Sequence, residues 1–358
     1  MVKLGSALLV EEDGRVRRQW LSSLIADIAA LRREGCETVI VSSGAIALGA
    51  RRLGLDRGGR GSLDDAQAAA AAGQIVLAGL YADLLQDHGL AAAQLLLTLG
   101  DLADRPRYLN AGTTLARLLT LGAVPVVNEN DSTATEEIRF GDNDRLAARV
   151  AQAAGADLVI LLSTVDALYD RDPATEGARR IVDVPQGTVP DAALGPSGGM
   201  GSGGMAAKVE AGRIAADGGI GLVIADGRGD HALAACLGNG EVAGTWFRPA
   251  PASTARKSWL RGHLDLRGRV VVDAGAAAAL QNGGSLLAAG IAHVDGEFQR
   301  GDIVAIVDVT ERVLGHGLVG YRSADVAAIA GLRSEAQAAI LGHAPRSAVI
   351  HRNDMVLL

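Results

Sequence analysis

Val39-Ile-Val-Ser-Ser-Gly-Ala45 reads as a β-branched strand that stops on small polar residues and turns at once into a helix. The same pattern recurs through the first part of the chain. Strand-like runs at 1–4, 38–42, 91–97, 124–128, 158–162 and 221–225 alternate with helical patterns at 20–33, 64–88, 110–121, 144–154 and 205–217. Such alternation means crossover units on an open, mostly parallel sheet sandwiched by helices, an α/β fold. Sheets of this kind bind ligands at the carboxyl ends of their strands, so the residues after each strand decide the chemistry.

The last hundred or so residues follow a different pattern. Short strands at 269–273, 303–308, 313–318 and 348–351 are separated by glycine-rich turns, with a helical piece at 274–281. They predict a small β-rich, barrel-like domain. Charge changes too: residues 1–255 carry 23 basic and 31 acidic side chains, and 256–358 carry 11 and 10. The change falls beside Arg248-Pro-Ala-Pro-Ala-Ser-Thr254, which reads as a linker. This divides the chain into a first domain at 1–248, a linker at 249–256 and a second domain at 257–358.

Composition excludes several classes. At 358 residues, 49% hydrophobic and 21% charged, the chain is globular and long enough for two domains. A net charge of −7 argues against a protein that coats nucleic acid. Cys36 and Cys236 lack CxxC spacing, which predicts reduced thiols, neither a disulfide framework nor a zinc site. No uninterrupted apolar run reaches the ~18 residues of a membrane span, and no charged-then-apolar leader precedes the first strand, so a cytoplasmic location is expected. Of the 34 basic residues 31 are arginine; the lysines are Lys3, Lys208 and Lys257. Lysine is a compact charge on a flexible stem where arginine is a planar fork, so a surviving lysine asks for a reason.

Lys3 stands at a strand end in Lys3-Leu-Gly-Ser6, where an ammonium and backbone amides can meet an anion together; a surface lysine before a turn would look the same. Six glycines in residues 195–204 feed a helix that begins at Met205 and carries Lys208 in its first turn. Exposed amides, the helix dipole and a mobile charge favour phosphate there, against the alternative of a flexible linker. The GxxxxGK[ST] spacing is absent. Val124-Pro-Val-Val-Asn-Glu-Asn-Asp131 and Phe140-Gly-Asp-Asn-Asp144 place two polar clusters at the same sheet edge. Either alone would pass for turn and cap residues, and neither has calcium-loop spacing. Ser43 and Gly44 open a helix and suit a carboxylate or phosphate, or a plain serine cap. Lys257, beside the linker, reads as a solvated charge.

In order, Lys3-Leu-Gly-Ser, Val41-Ser-Ser-Gly-Ala-Ile46, Val126-Val-Asn-Glu-Asn-Asp131, Gly141-Asp-Asn-Asp144, Leu161-Leu-Ser-Thr-Val-Asp-Ala-Leu-Tyr169 and Gly201-Ser-Gly-Gly-Met-Ala-Ala-Lys208 resemble the amino acid kinase family, and within it the glutamate 5-kinases. The C-terminal part, with Gly284-Ser-Leu-Leu, Gly301-Asp and Val349-Ile-His-Arg352, is similar to the PUA domain that many bacterial members carry.

The resemblance implies phosphorylation of the γ-carboxylate of L-glutamate by ATP with Mg2+, the first step of proline biosynthesis. It implies that Lys3 and Lys208 touch the nucleotide phosphates from opposite sides, with Asp144 orienting both. Ser43, Asn128, Asp131 and Asn143 would hold glutamate, Asp131 pairing its ammonium and the others its α-carboxylate. Ser163 and Thr164, with Ser202, Gly203, Gly204, Met205, Ala206, Ala207 and Lys208, would line the ATP site. No residue is assigned as a metal ligand. A homo-oligomer, feedback inhibition by proline and glutamyl phosphate reductase as a partner follow from the same resemblance. The chemistry agrees: a γ-carboxylate, with an ordinary pKa of about 4.3, is already ionised at neutral pH, so positioning and electrostatics matter more than a general base.

Three features depart from the family pattern. Only Met1 and Val2 precede Lys3, Thr164 stands where an acidic residue is common, and Ala167 replaces a usual glycine. Two other readings compete. A sibling kinase acting on acetylglutamate, aspartate or uridylate shares the fold but leaves the NEND, GDND and second-domain combination unexplained. An RNA-binding role through the second domain meets a nearly neutral domain whose aromatics, Trp259, Phe298 and Tyr321, suit a core better than a stacking platform.

Overall fold

The computed structural model describes residues 1–11, 13–133, 142–188, 190, 192, 204–238, 243–250, 266–346 and 348–357, with the backbone alone at 142 and 353. They divide into two compact units, Met1–Ala103 with Asn110–Ala250, and Asp104–Leu109 with Pro251–Leu358.

The strands of the first unit are β1 (Val2–Leu4), β2 (Ile40–Ser42), β3 (Ala92–Leu97), β4 (Val124–Glu129), β5 (Leu158–Ser163), the short β6 (Leu168–Tyr169) and β7 (Arg180–Ile181), β8 (Asp183–Val184), β9 (Gly221–Asp226) and β10 (Thr245–Phe247). Eight form one sheet in the order β3-β4-β2-β1-β5-β9-β10-β8, while β6 and β7 pair separately. All neighbours in the large sheet run parallel except β9 and β10. The central strands are buried on both faces, which is why they read as continuous β-branched and leucine runs without polar alternation.

The helices of the chain's first part are α1 (Ser6–Leu9), α2 (Arg18–Arg33), α3 (Ala45–Leu53), α4 (Leu63–Gln86), α5 (Leu99–Ala103), α6 (Arg105–Thr120), α7 (Asp142–Ala154), α8 (Met205–Asp217) and α9 (Ala232–Leu237). The alanine-rich α4 starts on Ser62, whose hydroxyl accepts from the Asp65 amide at 3.0 Å, with Asp64 and Asp65 in its first turn. Among the described residues it is the one helix long and apolar enough to cross a membrane. Its Ala69, Ala70, Leu77, Tyr81, Leu84 and Leu85 are buried in this unit's core. Helices α3 and α4 cross with almost no separation: a Cβ at Gly49 would stand 1.7 Å from the Ala69 carbonyl, and one at Gly73 1.8 Å from that of Ala45.

In the second unit β11 (Leu266–Val272), β12 (Ile291–Asp295), β13 (Ile303–Asp308), β14 (Val313–Leu318) and β15 (Met355–Leu357) form a mixed sheet in the order β12-β11-β13-β14-β15. Helices α10 (Ala274–Gln281), α11 (Ser323–Ile329) and α12 (Ser334–Leu341) complete it. The strand expected at 348–351 supplies only an isolated bridge between Leu286 and Ile350, and the edge strand falls at β15. Phe298 and Tyr321 are buried in the core, so neither offers an exposed stacking surface. Trp259, Lys257 and 251–256 of the expected linker lie outside the described residues.

The sheet order arranges the chemistry. At the carboxyl edge, Asn130 and Asp131 follow β4, Ser43 and Gly44 follow β2, Gly5 follows β1, Thr164 follows β5 and Gly227 follows β9. Because β1 lies between β2 and β5, the polar cluster of the β4–β2 side and that of the β5–β9 side meet at Lys3.

Candidate active site

Lys3 sits in a strand paired on both sides, its backbone in register with Val41 and Leu161, and its side chain is buried. A buried ammonium requires a counter-charge, and Asp144 supplies it: Lys3 Nζ lies 2.5 Å from Asp144 Oδ1. The other oxygen accepts from Lys208 Nζ at 2.9 Å. Asp144 is wholly buried and Lys208 only 5% exposed. The three residues come from β1, the first turn of α7 and the first turn of α8, so three separate elements converge on one carboxylate. The helix start itself favours an anion at Asp144.

The electrostatics follow from that convergence. Burial alone would raise the Asp144 pKa, but the Lys3 and Lys208 ammoniums outweigh it and hold the carboxyl below its ordinary value. Burial, aided by the Lys208 charge, pulls the Lys3 pKa below its ordinary value even though Asp144 opposes it. The triad carries two positive charges and one negative, so a net cation is stored at the sheet edge. A group with several negative oxygens is the natural complement.

Beside it lies a cluster of amides. Asn143, the residue before Asp144, donates from Nδ2 to Ser43 Oγ (2.7 Å), the Ser42 carbonyl (3.1 Å) and Asn128 Oδ1 (3.1 Å). Asn128 Oδ1 also accepts from the Glu129 amide at 2.9 Å, and its Nδ2 donates to Gln74 Oε1 at 2.8 Å. Ser43 precedes Gly44, whose φ of +104° opens α3 in a left-handed conformation that glycine adopts without strain. Asp131 lies on the wall of an adjoining cavity of about 300 Å³ that Gln74, Glu129 and Asn130 also line.

On the other flank Ser163 is buried at the end of β5, and its carbonyl accepts from the Gly227 amide at 2.8 Å; Thr164 is exposed. Gly204 begins α8 without a side-chain cap. Met205, Ala206 and Ala207 form its first turn, Met205 and Ala207 half-buried and Ala206 exposed. This is the helix-start arrangement that suits a phosphate. Ser202, Gly203 and most of the glycine run lie outside the described residues.

The structure thus gathers Lys3, Asp144 and Lys208 at one point, Ser43, Asn128 and Asn143 in one hydrogen-bonded cluster beside it, and Ser163 with the α8 start on the far side. Two nearby residues carried no motif signal. Gln74 joins the amide cluster from α4, where an isolated glycine at 73 in an alanine-rich helix was the available clue to close packing. Arg60 lies close enough to Asp131 to feel its charge, although burial still presses the Arg60 pKa below its ordinary value.

A parallel sheet with this lysine–aspartate–lysine site defines a class. The amino acid kinase family model matches residues 1–226, and the PUA domain model matches residues 268–341. The chain belongs to the amino acid kinase family. Within it, similar curated proteins include glutamate 5-kinases. The chain is 58% identical to that of Novosphingobium aromaticivorans, covering 100% of this chain and 95% of the relative. It is 56% identical to that of Sphingopyxis alaskensis (100% and 97%) and 51% identical to that of Zymomonas mobilis (100% and 91%).

Proposed function

We propose that the chain is a glutamate 5-kinase: it transfers the γ-phosphoryl group of ATP to the γ-carboxylate of L-glutamate, forming L-glutamyl 5-phosphate, the first step of proline biosynthesis. The observation that carries this reading is the buried Lys3–Asp144–Lys208 triad standing between a polar amide cluster and an uncapped helix start. Both reactants are anionic, so bringing them together is the main obstacle. The two ammoniums offset that repulsion and stabilise charge on the moving phosphoryl group, with Asp144 fixing their separation. No base is required, since the attacking carboxylate is ionised at neutral pH.

Ser43, Asn128, Asp131 and Asn143 hold the amino acid. Ser163, Thr164 and residues 202–208 hold ATP. Among the described residues no three His, Cys, Asp or Glu side chains gather as a metal cage, and both oxygens of Asp144 face ammoniums. Magnesium enters as part of the substrate MgATP. The kinase domain spans 1–248, with a linker at 249–256 and the PUA domain at 257–358. The reading also includes a cytoplasmic homo-oligomer, proline as feedback inhibitor, and glutamyl phosphate reductase as the enzyme that receives the labile product.

The test is to incubate the purified chain with MgATP and L-glutamate and trap acyl phosphate as the hydroxamate. Hydroxamate that depends on both substrates supports the reading; faster phosphorylation of acetylglutamate, aspartate or uridylate would replace it with a sibling activity.

A further inference from the structure

Helix α2 and the residue before it grip the connection from β9 to α9 at both ends. Gly227, the first residue past β9, donates from its amide to the Ser163 carbonyl at 2.8 Å, and its own carbonyl accepts from Trp20 Nε1 at 2.7 Å. A Cβ at Gly227 would stand 2.4 Å from Leu8 and 3.3 Å from the Ser163 nitrogen, so the connection starts packed against the end of β5. Arg17 Nη2 donates to the next carbonyl, that of Arg228, at 3.1 Å. At the far end the His231 amide donates to Ser23 Oγ at 3.0 Å, and His231 Nδ1 lies 2.7 Å from Asp27 Oδ1. A carboxylate only accepts, so that nitrogen carries the hydrogen. Asp27 Oδ2 accepts from the Ala234 amide at 3.1 Å. Helix α9 has no side-chain cap from its own first residue, and Asp27 supplies one from another helix.

His231 stands at φ +55°, ψ +36°, a left-handed conformation that a residue with a side chain keeps only where its surroundings hold it. Without the pair to Asp27, the single bond to Ser23 must keep it there. Asp27 is buried while the imidazole is exposed, so solvent protons reach the pair from one side. The hydrogen bond to Asp27 and its charge, helped by Asp230 on the same connection, hold the His231 pKa above its ordinary 6.5. Helix α9 itself, Ala-Leu-Ala-Ala-Cys-Leu, adds no charge.

Given the reading of Ser163 and the α8 start as the ATP site, on which this rests, we propose that the His231–Asp27 pair is a proton-operated latch on the nucleotide side. Closed, it holds the β9–α9 connection against α2 and Gly227 against the end of β5. Open, it lowers nucleotide affinity and leaves the amide cluster, which lies across β1 on the β2–β4 side, unchanged. A raised folded pKa means a contribution fully present below 6.5 and lost as pH rises through the folded value. The latch is therefore closed in mild acid and opens toward alkali.

The test measures calorimetric Kd values for MgADP and for L-glutamate on full-length wild type, His231→Asn and Asp27→Asn, from about pH 6 to about pH 9. Asparagine enters the left-handed region readily, so His231→Asn removes the imidazole without adding backbone strain. At about pH 6 the wild type should bind MgADP at least about threefold more tightly than either variant, and that ratio should fall toward one as pH rises. Titration of Lys3 is common to all three chains and cancels in the ratio. The ratio for L-glutamate should stay within about 1.5-fold throughout. A MgADP ratio of one in mild acid, a ratio indifferent to pH, an equal loss for L-glutamate, or failure of His231→Asn to fold would overturn the inference. Wild-type chain that does not bind MgADP would instead overturn the reading of the ATP site, and that result is visible before any variant is measured.

Discussion

Lys3 and Lys208, more than 200 positions apart in sequence, end on opposite oxygens of the same buried carboxylate, that of Asp144. Removing that carboxylate leaves two buried ammoniums facing each other. Asp144→Asn should therefore lower stability by about 3–5 kcal/mol, the usual result of breaking a buried ion pair from one side. Urea unfolding measures it. The same group gives an acid dependence. Its folded pKa lies below the ordinary 3.8, so its contribution is fully present above 3.8 and is lost as pH falls through the folded value. The variant's stability should lack that part of the wild-type acid limb.

Lys208→Arg tests whether charge alone suffices. A planar fork is bulkier than an ammonium and cannot follow a moving phosphoryl group in the same space. The variant should lose at least about tenfold in kcat, with melting close to wild type. Near-normal turnover would remove Lys208 from the chemistry.

Lys3 sets an alkaline limit. Its folded pKa lies below the ordinary 10.5, because burial disfavours the charge. The ammonium is needed to meet the phosphates, so kcat/KM for ATP should fall as pH rises through that lowered value. Bound phosphates favour the charged form, so kcat should fall only at higher pH. Coincident limbs in the two profiles would argue against Lys3 as a phosphate ligand.

Gly73→Ala separates helix propensity from packing. In an isolated helix alanine would gain about 1 kcal/mol. Here its Cβ would stand 1.8 Å from the Ala45 carbonyl, so α3 and α4 must move apart. Net destabilisation of about 1–3 kcal/mol is expected. Gln74 moves with the helix, so KM for glutamate should rise while KM for ATP stays put. Kinetics with each substrate varied in turn would show the split.

Much of this was legible in the chain. The parallel sheet was readable because its central strands are doubly buried and so appear as uninterrupted apolar runs, each stopped by Ser, Asn or Gly. Lys3 and Lys208 were singled out by scarcity together with a strand end and a helix start. Harder to read were the short edge strand β8 and its neighbour β10, which joins β9 antiparallel. Their few residues leave no periodicity to detect. The run at 348–351 is apolar enough for a strand, yet it contributes only the Leu286–Ile350 bridge while Met355–Leu357 takes the sheet edge. Gln74 and Arg60 lie outside every motif, because what brings them in is the α3–α4 crossing and the chain path before α4, and neither leaves a pattern in a one-dimensional sequence.

Transfer of a phosphoryl group to a carboxylate, with the two lysines at the phosphates, is read directly by hydroxamate trapping with MgATP. L-Glutamate should yield γ-glutamyl hydroxamate, acetylglutamate and aspartate far less, and added proline should suppress the signal. ATP consumption without hydroxamate, or a stronger signal from another acceptor, would show that glutamate is not the phosphoryl acceptor.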